Sequence, residues 1–268
     1  MTIDEKYQRL LALIGAHKSA AVAFSGGVDS SFLCYAAKAA LGSKAAAITI
    51  VSPMLPQAEI REAAAVAQAV GIEHILIEEG GIDEKVAANP KERCYFCKKI
   101  EFSAIIGAAH SRGLNAVLDG SNIDDLQDYR PGLHALQELG VISPLRDAEL
   151  TKADIRALSK QFGLSTWDKP AFACLASRIP YGERIDKEKL ARVEQAEEIL
   201  RNAGFRQFRV RSHGNIARIE VAPEERKRLF DEAAMDALSR SLKSCGFAYA
   251  ALELEGYRMG SMNYAAQA

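Results

Sequence analysis

The sequence predicts an α/β fold: a doubly wound parallel sheet with a second, smaller α+β domain. Three observations predict it. Short apolar runs alternate with amphipathic stretches through the first two thirds of the chain, the rhythm of strands and crossover helices. A glycine turn, Ser25-Gly-Gly, sits between the first apolar run and a helical stretch. After about residue 180 the rhythm gives way to a charged helix, a hairpin, a further helix and one last strand. The expected domains are 1–170 and 183–268, joined by a linker from Lys169-Pro to Pro180-Tyr-Gly182.

The elements follow in order. Residues 3–16 predict an amphipathic helix, with Leu10, Leu11, Leu13 and Ile14 among polar positions. Apolar runs predict strands at 20–24, 46–51 and 73–77, with helices at 29–41 and 57–70. A longer helix is expected from Arg93 to His110, then a strand at 115–118 ending in Asp119-Gly120. A helix over 151–162 opens on Thr151, and Asp154 three residues later has the spacing of a capping box. Parallel sheets bind ligands beyond the C-terminal ends of their strands, which places the Ser25 turn and Asp119-Gly120 at one end. In the second domain, 186–203 predicts a charged helix. Alternating stretches at 205–211 and 216–221 predict a hairpin through Ser212-His-Gly-Asn215. A helical region runs from Pro223 to about 244, and 248–254 predicts a last strand.

Composition narrows the class. The chain has 268 residues, 49% hydrophobic and 26% charged, as in an ordinary globular protein. Lys+Arg is 34 against Asp+Glu 35, a net charge of −1, which argues against an extended nucleic-acid surface. No apolar run approaches the roughly 20 residues that span a bilayer. The start, Met-Thr-Ile-Asp-Glu-Lys, lacks the pattern of a secretory signal. A cytoplasmic location is expected, and there five cysteines are ligands, nucleophiles or core residues rather than disulfides.

Ser25-Gly-Gly-Val-Asp-Ser-Ser31 lies between strand and helix N-terminus. Adjacent glycines let the backbone turn sharply and aim several N–H groups into one concavity, where the helix dipole adds partial positive charge. Such a loop suits a phosphate, and it lacks the lysine of a Walker loop. The bland alternative is a glycine turn before a helix. The segment resembles the S-G-G-x-D-S loop of the PP-loop ATP pyrophosphatases, the adenine nucleotide alpha hydrolase-like group that contains GMP synthetase, NAD synthetase and the tRNA thiolases. That resemblance implies that Ser25, Gly26, Gly27, Asp29, Ser30 and Ser31 bind ATP, which is cleaved to AMP and pyrophosphate. Asp29 is expected to position Mg²⁺ or the loop rather than to act as a base.

Cys94 and Cys97 form a C-x-x-C in Lys91-Glu-Arg-Cys-Tyr-Phe-Cys-Lys-Lys99. In a first helical turn they share a face. The dipole and Arg93, Lys98 and Lys99 favour thiolates there, able to bind a metal, form a redox disulfide or transfer sulfur. Cys174 stands apart, in Pro170-Ala-Phe-Ala-Cys-Leu-Ala-Ser-Arg-Ile-Pro-Tyr-Gly182. Three cysteines can hold three irons of a [4Fe–4S] cluster and leave the fourth open. Equally, the C-x-x-C can be a structural pair and Cys174 a buried small residue. Cys34 reads as core and Cys245 as structural.

Taken together, Ser25 to Ser30, Leu118-Asp-Gly120, Asp125-Leu-Gln-Asp-Tyr-Arg-Pro-Gly132, Ser177-Arg-Ile-Pro-Tyr-Gly182, Arg209-Val-Arg211 and Ile216-Ala-Arg-Ile-Glu220 resemble the LarE family over nearly the whole chain. The resemblance implies an ATP-dependent sulfur transferase. Such enzymes adenylate the carboxylates of pyridinium-3,5-biscarboxylic acid mononucleotide and convert them to thiocarboxylates for the nickel-pincer cofactor of lactate racemase. One LarE type sacrifices a single cysteine, which becomes dehydroalanine. The other carries a [4Fe–4S] cluster on three cysteines, and Cys94, Cys97 and Cys174 match that type. The resemblance implies ATP, Mg²⁺ and the cluster as cofactors, a sulfide source as partner, and a homohexamer. Arg178 is a candidate phosphate contact, with an interdomain salt bridge as its alternative. Arg209 and Arg211, on one face of a strand, resemble the family's substrate-phosphate arginines, with a solvated strand face as theirs. Arg130, with Asp128 and Tyr129, is a further candidate for substrate. Glu197 and Glu220 match acidic positions linked to metal binding or the oligomer core. His213 is expected to be a turn residue and Trp167 a core or junction aromatic. Rival readings are a tRNA thiolase, an amide ligase of the NAD or GMP synthetase kind, and a non-catalytic nucleotide-binding regulator.

Overall fold

The computed structural model describes residues 1–127, 131–170 and 174–258, with the backbone alone at 126, 127 and 131. The chain divides into two units. The first is made of Met1–Gly80 and Glu92–Phe172; the second takes Gly81–Lys91 and the chain from Ala173 onward.

The first unit opens with α1 (Ile3–Gly15), started by a capping box in which the Thr2 hydroxyl accepts from the Glu5 N–H and the Glu5 carboxylate accepts from the Thr2 N–H. Strands β1 (Ala20–Ala23), β2 (Ala45–Val51) and β3 (Glu73–Glu78) alternate with helices α2 (Val28–Leu41) and α3 (Gln57–Val70). After α4 (Glu84–Ala87), which belongs to the second unit, come α5 (Arg93–Ser111), β4 (Ala116–Leu118), α6 (Pro131–Glu138), α7 (Pro144–Asp147) and α8 (Lys152–Gln161). The four strands are all parallel, in the order β3-β2-β1-β4.

Side-chain alternation along the strands divides the core. Ala20, Val22, Ala45, Ala47, Ala116 and Leu118 face one layer, with Leu10 and Ile14 of α1, Phe32 and Leu33 of α2, and Ile155 and Leu158 of α8. Ala21, Ile48 and Val117 face the other, with Phe102 and Ile105 of α5 and Leu136 of α6. The sheet is thus covered by helices on both faces, as the sequence predicts. Phe32 and Leu33 are fully buried, and each contributes about 1.5–3 kcal/mol. Packing of that size exceeds any single hydrogen bond of the Ser25 loop. The head of α2 is therefore set by the core beneath it.

The second unit contains α9 (Lys187–Asn202), the hairpin β5 (Phe208–His213) and β6 (Ile216–Val221), then α10 (Glu232–Ser244) and β7 (Tyr249–Leu252). β6 is central, antiparallel to β5 and parallel to β7. Leu190, Val193, Ala196 and Leu200 form the buried stripe of α9, and Glu197 lies within it. Pro223 opens a separate 3₁₀ stretch, Pro223–Leu229, before α10.

The 81–91 excursion is fixed by Asn89. This residue is fully buried and has φ +53, a left-handed conformation that asparagine tolerates better than most residues. Its side-chain amide donates to the carbonyls of Ile179 at 3.4 Å, Pro180 at 2.7 Å and Glu183 at 3.0 Å, and its own carbonyl accepts from the Gly182 N–H at 2.9 Å.

Candidate active site

The loop between β1 and α2 is built for close approach. Gly26 has φ +73, and a Cβ there would lie 3.0 Å from the Ala63 Cβ of α3. Glycine is required on both counts. Gly27 caps α2 with extended backbone and offers no side chain to its first N–H groups. By the geometry of any helix start, those groups have no partner within the helix and face a ligand or water. The Ser30 hydroxyl donates to the Gly27 carbonyl at 3.2 Å and lies 3.2 Å from the Ser25 hydroxyl, which closes the turn on itself. Ser25 is exposed, Asp29 half-buried, and Ser30 and Ser31 buried. The Ser31 hydroxyl has no hydrogen-bond partner among the described residues.

Asp119-Gly120 meets this loop beyond the end of β4. A Cβ on Gly120 would come within 3.2 Å of the Ser30 backbone nitrogen, so the two loops abut and a larger residue there would push on the head of α2. Asp119 is buried and accepts from the hydroxyls of Ser121 and Ser143. Asp29 forms an ion pair with Lys152 at the start of α8, and the Asn122 amide donates to it at 3.4 Å. α8 begins with the expected capping box, Thr151 with Asp154. Nothing in the sequence distinguished Lys152 from other surface lysines, and its partner is remote in the chain.

Cys94 and Cys97 lie in the first turn of α5. The Cys94 side chain is exposed, and Cys97 is half-buried with its thiol donating to Glu101 at 3.3 Å. The neighbouring cations are committed elsewhere: Lys98 to Glu101 at 3.0 Å, Lys99 to Glu138 at 2.7 Å. Cys174 belongs to the second unit and is exposed. Its carbonyl accepts from the Ser177 N–H at 3.0 Å, the Ser177 hydroxyl at 2.9 Å and Arg178 at 3.2 Å. No disulfide joins the five cysteines. Among the described residues, no three or more His, Cys, Asp or Glu side chains are gathered as a metal-ligand group. Cys34 is fully buried and its thiol pKa is pushed far up by burial, as a core residue requires.

The arginines of the second unit form a buried charge network. Arg178 is fully buried and bidentate on Glu197, at 2.7 and 2.9 Å. Burial acts to lower its pKa, and Glu197 reverses that to a net rise. Glu197 also accepts from the Val210 N–H at 3.1 Å. Arg211 binds Glu220 through two nitrogens, at 3.1 and 2.9 Å, and Arg218 binds the same carboxylate at 3.0 Å. Arg209 sits directly opposite Glu220 in the hairpin register and is buried. Burial first, and then the neighbouring Arg178 charge, lower its pKa to about 10. Three buried guanidinium groups (Arg178, Arg209 and Arg211) thus stand beside two buried carboxylates, Glu197 and Glu220. The alternative of a solvated strand face therefore does not hold: the Arg209 and Arg211 side chains are interior. Glu197 and Glu220 spend their oxygens on arginines and main chain.

Asp128, Tyr129 and Arg130 lie outside the described residues. His213 is the last residue of β5, immediately before the turn at Gly214-Asn215. Trp167 is 38% exposed, with the Lys160 ammonium 4.6 Å from its ring centroid, and so is not a core aromatic.

Comparison with known proteins places these features in context. Residues 14–120, which carry the Ser25 loop and end at Gly120, match the asparagine synthase family. An uncharacterized protein of Synechocystis is 43% identical over 97% of this chain and 98% of its own length. A Lactiplantibacillus plantarum protein named pyridinium-3,5-bisthiocarboxylic acid mononucleotide synthase is 37% identical over 98% of this chain and 95% of its own. An uncharacterized Methanocaldococcus jannaschii protein is 31% identical over 90% and 92%.

Proposed function

Because the chain belongs to the pyridinium-3,5-bisthiocarboxylic acid mononucleotide synthase (LarE) family, we propose that it activates a pyridinium mononucleotide carboxylate at the Ser25 loop and transfers sulfur to it through its cysteines. The protein is an ATP-dependent sulfur transferase. One observation carries the finer reading: a glycine loop that leaves the head of α2 without a side-chain cap and the thiols of Cys94, Cys97 and Cys174, all outside the core, occur in one chain.

A carboxylate is a poor electrophile, and adenylation supplies AMP as a leaving group. The N–H groups of Gly27 and the first turn of α2, with the Ser25 and Ser30 hydroxyls, would hold the phosphates. Asp29 would hold Mg²⁺, which when bound offsets charge on the departing pyrophosphate. Lys152, already paired to Asp29, would add a second cation there. Arg209 and Arg211, side by side on β5 and both buried, would receive the substrate's phosphate. Arg178 is proposed to act through the Cys174 carbonyl, holding the turn that presents the thiol. Arg130 is kept as a substrate candidate.

The cysteines fit a [4Fe–4S] cluster in kind: three thiols, none in a disulfide and none in the core. Cys94, Cys97 and Cys174 would hold it, and when bound it supplies a site for an exchangeable sulfide. A second reading rests on Cys174 being exposed on a turn locked by Arg178. Its thiolate would displace AMP from the acyl-adenylate to give a thioester. Loss of the Cys174 Cα proton and cleavage of its Cβ–S bond would then leave dehydroalanine and the thiocarboxylate. A cytoplasmic homo-oligomer supplied with sulfide completes the proposal.

Anaerobic purification with iron and sulfide analysis tests it. About four irons per chain, lost in Cys94→Ala, with Cys174 intact after turnover, is the expected result. Iron-free protein that thiolates the substrate while Cys174 loses the elements of H₂S would establish the sacrificial route. Absence of AMP formation with the pyridinium biscarboxylate would overturn both.

A further inference from the structure

The Gly26 carbonyl does not face solvent alone. The Lys169 ammonium donates to it at 3.2 Å, and the same nitrogen lies 2.8 Å from Glu59 and 2.7 Å from Glu62. The Lys169 and Glu59 side chains are 11% and 7% exposed. Glu59, Glu62 and Ala63 lie on one face of α3, and Ala63 is the residue against which Gly26 packs. Lys169 is itself anchored. Its N–H donates to the Thr166 carbonyl at 3.0 Å, and Arg156 of α8 donates to its carbonyl at 2.8 Å. All of these residues belong to the first unit.

Two physical consequences follow. In a trans peptide, the carbonyl of one residue and the N–H of the next point in opposite directions. An ammonium that holds the Gly26 oxygen toward α3 therefore aims the Gly27 N–H away from α3. Gly26 and Gly27 are also the residues with the fewest steric restraints on a peptide flip. The second consequence is electrostatic. Two carboxylates behind a phosphate loop repel its ligand, and Lys169 offsets them.

We propose that Lys169 is a positioning residue of the nucleotide site, one that locks the Gly26–Gly27 peptide in its phosphate-binding orientation and screens Glu59 and Glu62 from the phosphates. This rests on the reading that the Ser25 loop binds ATP. Lys169 touches neither substrate; it acts through the loop.

The test compares wild type, Lys169→Met, Lys169→Arg and the double variant Lys169→Met/Glu59→Gln, in the full-length protein. Urea denaturation and the KM and kcat for ATP in AMP formation are measured on each. Lys169→Met is expected to lose stability, because it strands the buried Glu59 carboxylate. The double variant is expected to regain that stability and still show a KM for ATP raised at least about tenfold, the equivalent of one charge-assisted hydrogen bond. Its kcat should fall much less, and Lys169→Arg should recover part of the KM. A double variant with wild-type KM would overturn the proposal, and so would one that does not fold. Wild-type protein that forms no AMP would instead sink the ATP reading itself.

Discussion

Glu197 shows how a single side chain can have its role reassigned by its surroundings. In sequence it is one charge in a charged helix; in the fold it lies in the apolar stripe of α9 and holds Arg178 at both oxygens. Removing one partner of a buried pair costs about 3–5 kcal/mol, because the other is left charged in the interior. Glu197→Gln is therefore expected to destabilise the second unit by about 3 kcal/mol or more, read by urea denaturation. A change under about 1 kcal/mol, the range of exposed pairs, would mean that Arg178 has other support. The residue scale is also where sequence is least legible. Cys34 as core and the glycines of the loop were readable, because burial and turn chemistry leave local signals. Lys152 and Lys169 were not, because a lysine's partner is decided by tertiary packing. Asp29 and Gly26, which they meet, lie far away in the chain.

At the scale of elements, the parallel strands and their crossover helices were legible from apolar runs and the capping spacing of Thr151 and Asp154. The short helices α4, α6 and α7 were not, since four to eight residues carry too little periodicity. Pairing between strands brings a further property. On β2, the Thr49 hydroxyl donates to the Phe24 carbonyl at 2.6 Å, so its oxygen accepts from Nε2–H of His74 on β3, at 2.8 Å. Burial lowers the His74 pKa from its ordinary 6.5. Below that value the unfolded chain takes up a proton before the folded one does, so stability is full above about pH 6.5 and declines as pH falls through it. His213 is shifted in the same direction, chiefly by burial and also by Arg218, and adds to the effect. Urea midpoints at about pH 7.5 and about pH 5.5 should differ in the wild type and differ less in His74→Gln. An unchanged difference would remove His74 from the account.

At the scale of the molecule, the first unit is interrupted by a strap that belongs to the second. No composition shift at 81–91 announces it, and the sequence predicts no element there. Val86 and Ala87 are buried, and the Asn89 amide serves three carbonyls of the 179–183 segment. A fragment of residues 173–268 would leave those carbonyls and the apolar surface under Val86 without partners. The fragment is expected to lack cooperative unfolding by circular dichroism and to gain it when an 81–91 peptide is added. Native-like stability of the fragment alone would contradict this.

The same strap sets an order of events during synthesis. Val86, Ala87 and Asn89 leave the ribosome well before the segment that covers them, which ends near Ile185, whose N–H bonds the Ala87 carbonyl. At roughly 5–20 residues per second the exposed interval is on the order of ten seconds. Through that interval Asn89 has none of the carbonyls that its amide serves, and the Ala87 carbonyl lacks its donor, so the strap waits on the far end of the 179–185 segment to be fixed.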